Sequence, residues 1–207
     1  MKFTLLLIAI CVIVFIYTVY VGGEEFINEF GFSGSNLFSK PWTLVTSIFL
    51  HGGITHLLSN ILVLFFFGSA VEKEMKWKML LIFFLGAFAG SFVSLFFYSW
   101  DTICIGASAG IFALIGVGML VKPLDLSFYP LVIPLPLALL GVLYAIYNAY
   151  GFITNPTSNI SYVAHFGGLA VGLIFGIKQA GWKRSLLIIS VVLAILIIIP
   201  VMWFWLG

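Results

Sequence analysis

Long apolar runs separated by short polar breaks make up nearly the whole chain. The runs lie near residues 4–21, 54–71, 79–98, 105–121, 131–150, 161–177 and 185–205. An α-helix rises about 1.5 Å per residue, so about 20 apolar residues cross a hydrocarbon layer of roughly 30 Å. Runs of this length predict an all-α polytopic membrane protein with seven spans in a single domain, residues 1–207. The first run follows Met1-Lys2 and has some features of a signal peptide. It is long for a signal h-region and no A-x-A site follows it, so an uncleaved span is expected.

Composition narrows the class further. Lys and Arg number 9 and Asp and Glu 7 in 207 residues, so 8% are charged, while 63% are hydrophobic and the mean hydropathy is +1.24. A soluble domain carries about 25% charged residues. A soluble enzyme, a nucleic-acid binder with a basic face and a disordered chain are therefore excluded. Basic residues gather on the cytoplasmic side of membrane proteins. With the N-terminus inside, the inner segments hold Lys2, Lys73, Lys76, Lys78, Lys122, Lys178, Lys183 and Arg184. The outer segments hold only Lys40, with Glu24, Glu25, Glu29 and Asp101. The expected topology has a cytoplasmic N-terminus and an outside C-terminus.

Residues 22–50 are too apolar for a solvated linker and too broken for a span. Phe26, Phe30, Phe32, Phe38 and Trp42 stand there among glycines and serines. A segment lying in the membrane interface fits that mixture. No internal repeat is visible, so an inverted-repeat transporter gains no support.

Polar residues inside a bilayer are costly and mark function. The chain has three histidines, His51, His56 and His165, and no Asp or Glu falls within a predicted span except Glu72, bordering the inner end of the second. His56 and Asn60 fall in the outer half of the second span. Ser108 lies a turn below the start of the fourth, and His165 about a turn below the start of the sixth. Four polar residues from three helices thus share one depth. His56 and Asn60 are i and i+4, on one helix face. Gly106 and Gly110 flank Ser108, so its backbone can be approached closely. Gly168, Gly172 and Gly176 follow His165 on its own face and let another helix pack there. The fourth span is the natural neighbour. A serine beside a histidine is a nucleophile with its general base. No acid stands at this depth, so the expected unit is a dyad. Asn60, His56 and the Ser108 N–H are candidate oxyanion donors.

Other readings of these residues remain open. A serine in G-x-x-x-G is a common packing residue, and a membrane histidine or asparagine can tie helices together. Three histidines could hold a metal, but His51 and His56 are five apart and no H-E-x-x-H occurs, so no metal is expected. The G-x-D of an intramembrane aspartyl protease is absent. Cys104, four residues before Ser108, could pair with a histidine but lacks the glycine frame. Cys11 lies nearer the inner side, so no disulfide with Cys104 is expected.

Together these motifs resemble the rhomboid intramembrane serine proteases. The likeness rests on His51-Gly-Gly-Ile-Thr-His56-Leu-Leu-Ser-Asn60, Val71-Glu72-Lys73, Gly106-Ala-Ser108-Ala-Gly110 and Ala164-His165-Phe-Gly-Gly168 with Gly172, over roughly residues 42–177. It implies a six-helix core over 1–178 with an added C-terminal helix at 185–205. It implies a Ser108–His165 dyad assisted by His56 and Asn60, with Gly106, Gly110, Gly168 and Gly172 packing the helices around it. It implies cleavage of single-span or other transmembrane substrates near the outer face, in contact with lipid, with no cofactor and no nucleic acid. It also implies a first loop embedded sideways, and access gated by the fifth helix and its cap near 152–160. Two departures stand out. Trp42-Thr43 replaces the Trp-Arg of many members, and Phe112 replaces a tyrosine. A phenyl ring can still stack on His165 but offers no hydroxyl. Two alternatives from other classes remain: a proteolytically silent rhomboid-like binder of membrane helices, and a small transporter.

Overall fold

The computed structural model describes residues 1–126, 136–155 and 161–206, with side chains described to 198. Among these the chain is helical, with one isolated antiparallel bridge between Phe32 and Cys104. Helix α1 (Lys2–Tyr17) runs through a π-type turn, Thr18–Gly22, and bends at Gly23 into the short amphipathic α2 (Gly23–Phe30). The segment that follows contains α3 (Thr43–Thr46) and a 3₁₀ turn, Ser47–Phe49. Next come α4 (Ile54–Val63) and α5 (Ser69–Met75), joined by a π-type turn at Leu64–Gly68 into one apolar helix. The others are α6 (Lys78–Ser94), α7 (Ser108–Val121), α8 (Leu137–Thr154), α9 (Tyr162–Ala180) and α10 (Trp182–Leu206). Four of the described stretches are long and apolar enough to cross a membrane: Lys2–Phe30, Ile54–Met75, Leu137–Thr154 and Tyr162–Ala180. Lys78–Ser94 and Ser108–Val121 are apolar but shorter.

Helix α7 is the hub. Every residue from Ala109 to Leu120 is buried, and its main partners are α9 and α6. At 14 residues it is only about 21 Å long. A helix enclosed by protein does not have to satisfy the bilayer alone, so the chain leading into it can be irregular. That lead-in is where the structure departs from the hydropathy pattern. The fourth run is expected to be helical from residue 105, but α7 begins at Ser108. Gly106 adopts φ +116, which a helix excludes. Its N–H is bonded to Ser47 O at 2.9 Å, while Phe32 and Cys104 exchange backbone bonds of 3.2 and 2.7 Å. Ser108 is therefore the first residue of its helix rather than a turn inside it. The fifth run is displaced likewise: α8 starts after Pro136 and continues to Thr154. The expected start at 131 lies outside the described residues, as does most of the expected gating cap, 156–160.

Glycines set the spacing of α7 and α9. A Cβ placed on Gly168 would stand 1.9 Å from Ala109 O, and one on Gly172 would stand 2.1 Å from Ala113 O. A Cβ on Gly116, facing back from α7, would meet Leu169 O at 2.9 Å. The neighbouring Gly167 faces α6 instead, within 2.9 Å of Ala89 O. The glycine frame of α9 is thus two-sided. Gly110 packs on Phe83 of α6, and Gly106 faces His56.

At the opposite end of the bundle, Glu72 caps α1 from a distance. Its carboxylate accepts from Phe3 N (3.1 Å), Thr4 N (2.9 Å) and Thr4 Oγ1 (2.6 Å). These are first-turn groups that no intrahelical carbonyl can serve, and a negative charge at a helix N-terminus is favourable.

Two expectations follow from the packing. Ordinary contact begins near 3.4 Å, so Gly168→Ala must push the α9 backbone off α7 by more than 1 Å. Overpacking of this kind typically destabilises by about 1–3 kcal/mol. Thermal melting in detergent should show a clear loss for Gly168→Ala, and an unchanged melt would mean that the stripe does not set the crossing.

The second concerns His51, between α3 and α4. It is 1% exposed, its Nδ1 donates to Phe49 O at 3.1 Å, and its ring lies 5.0 Å from that of His56. Burial, and then the neighbouring His56 charge, lower its pKa from 6.5 to about 4. The neutral ring is the folded form, so its contribution is fully present above pH 6.5 and is lost as the pH falls toward 4. At about 1.4 kcal/mol per pH unit, the effect reaches on the order of 3 kcal/mol. Melting temperature measured across that window should fall more steeply for the wild type than for His51→Gln. Parallel curves would remove His51 as the cause.

Candidate functional site

Ser108 opens α7 and is half-buried, so its hydroxyl can be reached. Two features set its position. Gly106 turns the chain into the helix, and a Cβ there would lie 2.8 Å from the His56 ring and 3.8 Å from Asn60 Nδ2. His56 and Asn60, one turn apart on α4, therefore both approach the backbone just ahead of Ser108. Asn60 is buried, and its Nδ2 has no hydrogen-bond partner among the described residues. A buried, unspent N–H₂ is costly unless something accepts from it.

His165 sits in the first turn of α9. Ser161 caps that turn by accepting from Ala164 N at 3.4 Å. The Ser161 hydroxyl lies 3.2 Å from that of Ser94, and Ser94 donates to Gly90 O at 2.9 Å. The start of α9 is in this way tied to the end of α6, while the glycine stripe holds it against α7. The result is a contact of 2.8 Å between His165 Nε2 and Ser108 Oγ. The His165 ring is stacked on Phe112, with centroids 4.3 Å apart and planes 10° from parallel. This ring lies four residues, or about one turn, along α7 from Ser108. The structure therefore brings Ser108, His165 and Phe112 into one cluster, with His56 and Asn60 against the loop that enters it. Gly168 and Gly172 serve the helix crossing beneath it.

His51 is not one of the residues against the Ser108 loop: its Nδ1 donates to Phe49 O, while its ring meets that of His56 edge-on at 5.0 Å. The Cys104 backbone is paired with Phe32, burial pushes its thiol pKa up, and it is a free cysteine, as is Cys11 in α1.

One residue of the cluster is absent from the sequence analysis. Asn148 of α8 is 1% exposed, and its Oδ1 is 2.7 Å from His165 Nδ1. Its Nδ2 donates to Tyr162 O at 3.0 Å. The expected two-member unit thus has a third, uncharged neighbour. Asn148 belongs to no motif, and the search for a third member considered only acids. Depth alone would have flagged it, since it lies six residues, about 9 Å, from the end of α8 at Thr154.

Comparison with known proteins places the chain. The family profile described as Rhomboid domain matches residues 39–182. The rhomboid protease GluP of Bacillus subtilis (strain 168) is 31% identical over 201 residues, covering 92% of this chain and 38% of that protein. Rhomboid-related protein 1 of Caenorhabditis elegans is 31% identical over 147 residues, 66% of this chain and 39% of the relative. A protein named inactive rhomboid-related protein 2, also of C. elegans, is 29% identical over 139 residues, 65% of this chain and 39% of the relative. The chain spans less than half the length of these three relatives. With its apolar helices and the domain match over most of its length, the chain is a member of the rhomboid family of integral membrane proteins.

Proposed function

We propose that the protein is an intramembrane serine endopeptidase that cleaves transmembrane helices with Ser108 as nucleophile and His165 as general base. The observation that carries this reading is the 2.8 Å contact between Ser108 Oγ and His165 Nε2. In this scheme Ser108 Oγ attacks a substrate carbonyl carbon as its proton passes to Nε2. The carbonyl oxygen becomes an oxyanion. The Ser108 N–H, outside the intrahelical ladder as the first residue of α7, faces it together with Asn60 Nδ2 and His56. His165 then protonates the leaving amine nitrogen, the C–N bond breaks, and Ser108 is left acylated. Water, deprotonated by the same imidazole, releases the acid and restores the hydroxyl. No cofactor or metal takes part. Substrate carbonyls in an intact helix are already hydrogen-bonded and covered, so the substrate unwinds locally before attack.

The test is the initial rate on a panel of single-span substrates in reconstituted protein, with folding checked by melting. Ser108→Ala and His165→Ala should each abolish cleavage, and their losses should not add, because they disable one unit. Asn60→Ala should lose about 10²–10³-fold in kcat, as for one oxyanion donor. Wild-type cleavage by Ser108→Ala would overturn the assignment. One relative is named inactive, which keeps a second reading in view: a non-cleaving binder of membrane helices. A wild-type protein that folds yet fails to react with a serine-directed activity probe would favour that reading.

The charge pattern supports an orientation with the N-terminus cytoplasmic and the C-terminus outside, and with it a site near the outer face. The reading treats residues 1–207 as one domain, with a six-helix core over 1–178 and an added helix at 185–205. Reporter fusions at each loop and at the C-terminus should alternate accordingly. A cytoplasmic C-terminal reporter would mean that the span count is wrong.

A further inference from the structure

An imidazole serves as base toward Ser108 through Nε2 only if its neutral form carries the proton on Nδ1. The opposite tautomer would point an N–H at the serine hydroxyl and could accept nothing from it. What fixes the tautomer can be read from the hydrogen bonds around Asn148. A backbone carbonyl only accepts, so the group 3.0 Å from Tyr162 O must be the Asn148 NH₂. The amide oxygen then faces His165 Nδ1 at 2.7 Å. An amide oxygen also only accepts, so Nδ1 must be the donor. Nε2 is left with its lone pair toward Ser108 Oγ, and the serine O–H donates to it over 2.8 Å. One main-chain carbonyl thus sets the direction of every proton in the row.

The position of Asn148 is built rather than incidental. Gly141, Tyr144, Asn148 and Gly151 recur on one face of α8. A Cβ on Gly141 would meet Met119 of α7 at 2.8 Å, and one on Gly151 would meet the Tyr162 ring of α9 at 2.5 Å. The Tyr144 ring meets Phe112 edge-on at 6.4 Å. Two glycines, one on either side of Asn148, let α8 close on both α7 and α9. A buried amide in an apolar helix is costly without partners. Here its oxygen is spent on His165 and one N–H on Tyr162.

We propose that Asn148 is the positioning residue of this site: its side-chain oxygen holds the proton of His165 on Nδ1, so that Nε2 is kept free to accept the proton of Ser108. Asn148 touches neither substrate nor the reacting atoms and acts through His165. It stays neutral throughout. When Nε2 takes the serine proton, the Nδ1–H bond to Asn148 persists and orients the imidazolium until Nε2 passes that proton to the leaving nitrogen. Its consequence for rate rests on the protease reading, whereas its consequence for the tautomer does not. The catalytic unit then spans three helices, α7, α8 and α9, and a displacement of α8 would unhook the base without touching Ser108.

The chain has only three histidines, so ¹⁵N labelling of histidine side chains followed by NMR in detergent, at mildly alkaline pH, resolves each ring, with His165→Ala giving the assignment. Wild-type protein should show His165 with Nδ1 protonated and Nε2 bare. Asn148→Leu, similar in size but unable to accept, should lose that signature. Asn148→Asp, which keeps an oxygen in place, should retain it. On a cleavable substrate Asn148→Leu should lose between about 10²- and 10⁴-fold in kcat, the upper figure being that of a serine protease with its histidine in the wrong tautomer. KM should change little, and Asn148→Asp should recover part of the rate. Finding His165 protonated on Nε2 in the wild type overturns the proposal, whether or not the variants fold. So does a folded Asn148→Leu with unchanged tautomer and kcat. If no substrate is cleaved but the signature is present and depends on Asn148, the positioning role stands and the protease reading fails.

Discussion

The approach of the α7 and α9 backbones is the constraint on which the rest of the molecule depends. At Gly168 and Gly172 the two chains are so close that even a methyl group would overlap a carbonyl oxygen of α7. No side-chain packing could set that distance, because none fits between them. The first turns of both helices are locked together by the same contact, and those turns carry Ser108 and His165. A hydroxyl and an imidazole on ordinary helices 8–10 Å apart, the usual spacing of packed helices, would have to bridge a wider gap. Here the glycines remove it.

Enclosing α7 on all sides creates a second demand. Backbone polar groups that stay buried around its start need partners inside the protein, because lipid offers none. The Phe32–Cys104 bridge and the Gly106–Ser47 bond meet it on the side of the preceding loop. At the start of α9, Ser161 Oγ accepts from Ala164 N and is itself tied to Ser94 Oγ, and Asn148 uses the Tyr162 carbonyl. Against this background the few unspent buried atoms are informative. Among the described residues they are His51 Nε2, Asn60 Nδ2 and Ser69 Oγ. Asn60 Nδ2 is the one shown beside the loop into Ser108, where a developing negative charge would use it.

Much of this was legible in the chain. Hydropathy gave an all-helical membrane protein, since apolar run length is a direct consequence of bilayer thickness. The depth argument singled out His56, Asn60, Ser108 and His165 because polar residues are rare enough in such a chain for each to stand out. The i+3 and i+7 glycines after His165 pointed to a close helix neighbour. Three things were not legible. The start of α7 at Ser108 was hidden because Ile105, Gly106 and Ala107 read as apolar helix, and only the bond to Ser47 and the φ of Gly106 exclude it. Glu72 was visible as an acid at a helix end, but its partners Phe3 and Thr4 are nearly seventy residues away. Asn148 could be noticed by its depth, but no motif or spacing ties it to His165, 17 residues away.

The division has a physical origin. Helix, span and face are set by neighbours within a turn or two and by the solvent, so they are written in local periodicity. By itself the sequence therefore determined the membrane class, the helical architecture and the small set of polar residues able to do chemistry. Which of those atoms meet, and which way each hydrogen points, depends on the crossing of helices far apart in the chain. The tertiary structure alone decided that Ser108 begins its helix and lies 2.8 Å from His165. It alone decided that Asn148 reads a distant carbonyl and so orients the imidazole. A hydrogen bond is directional over a few tenths of an ångström, and no one-dimensional pattern carries that information across the 57-residue separation of serine and histidine.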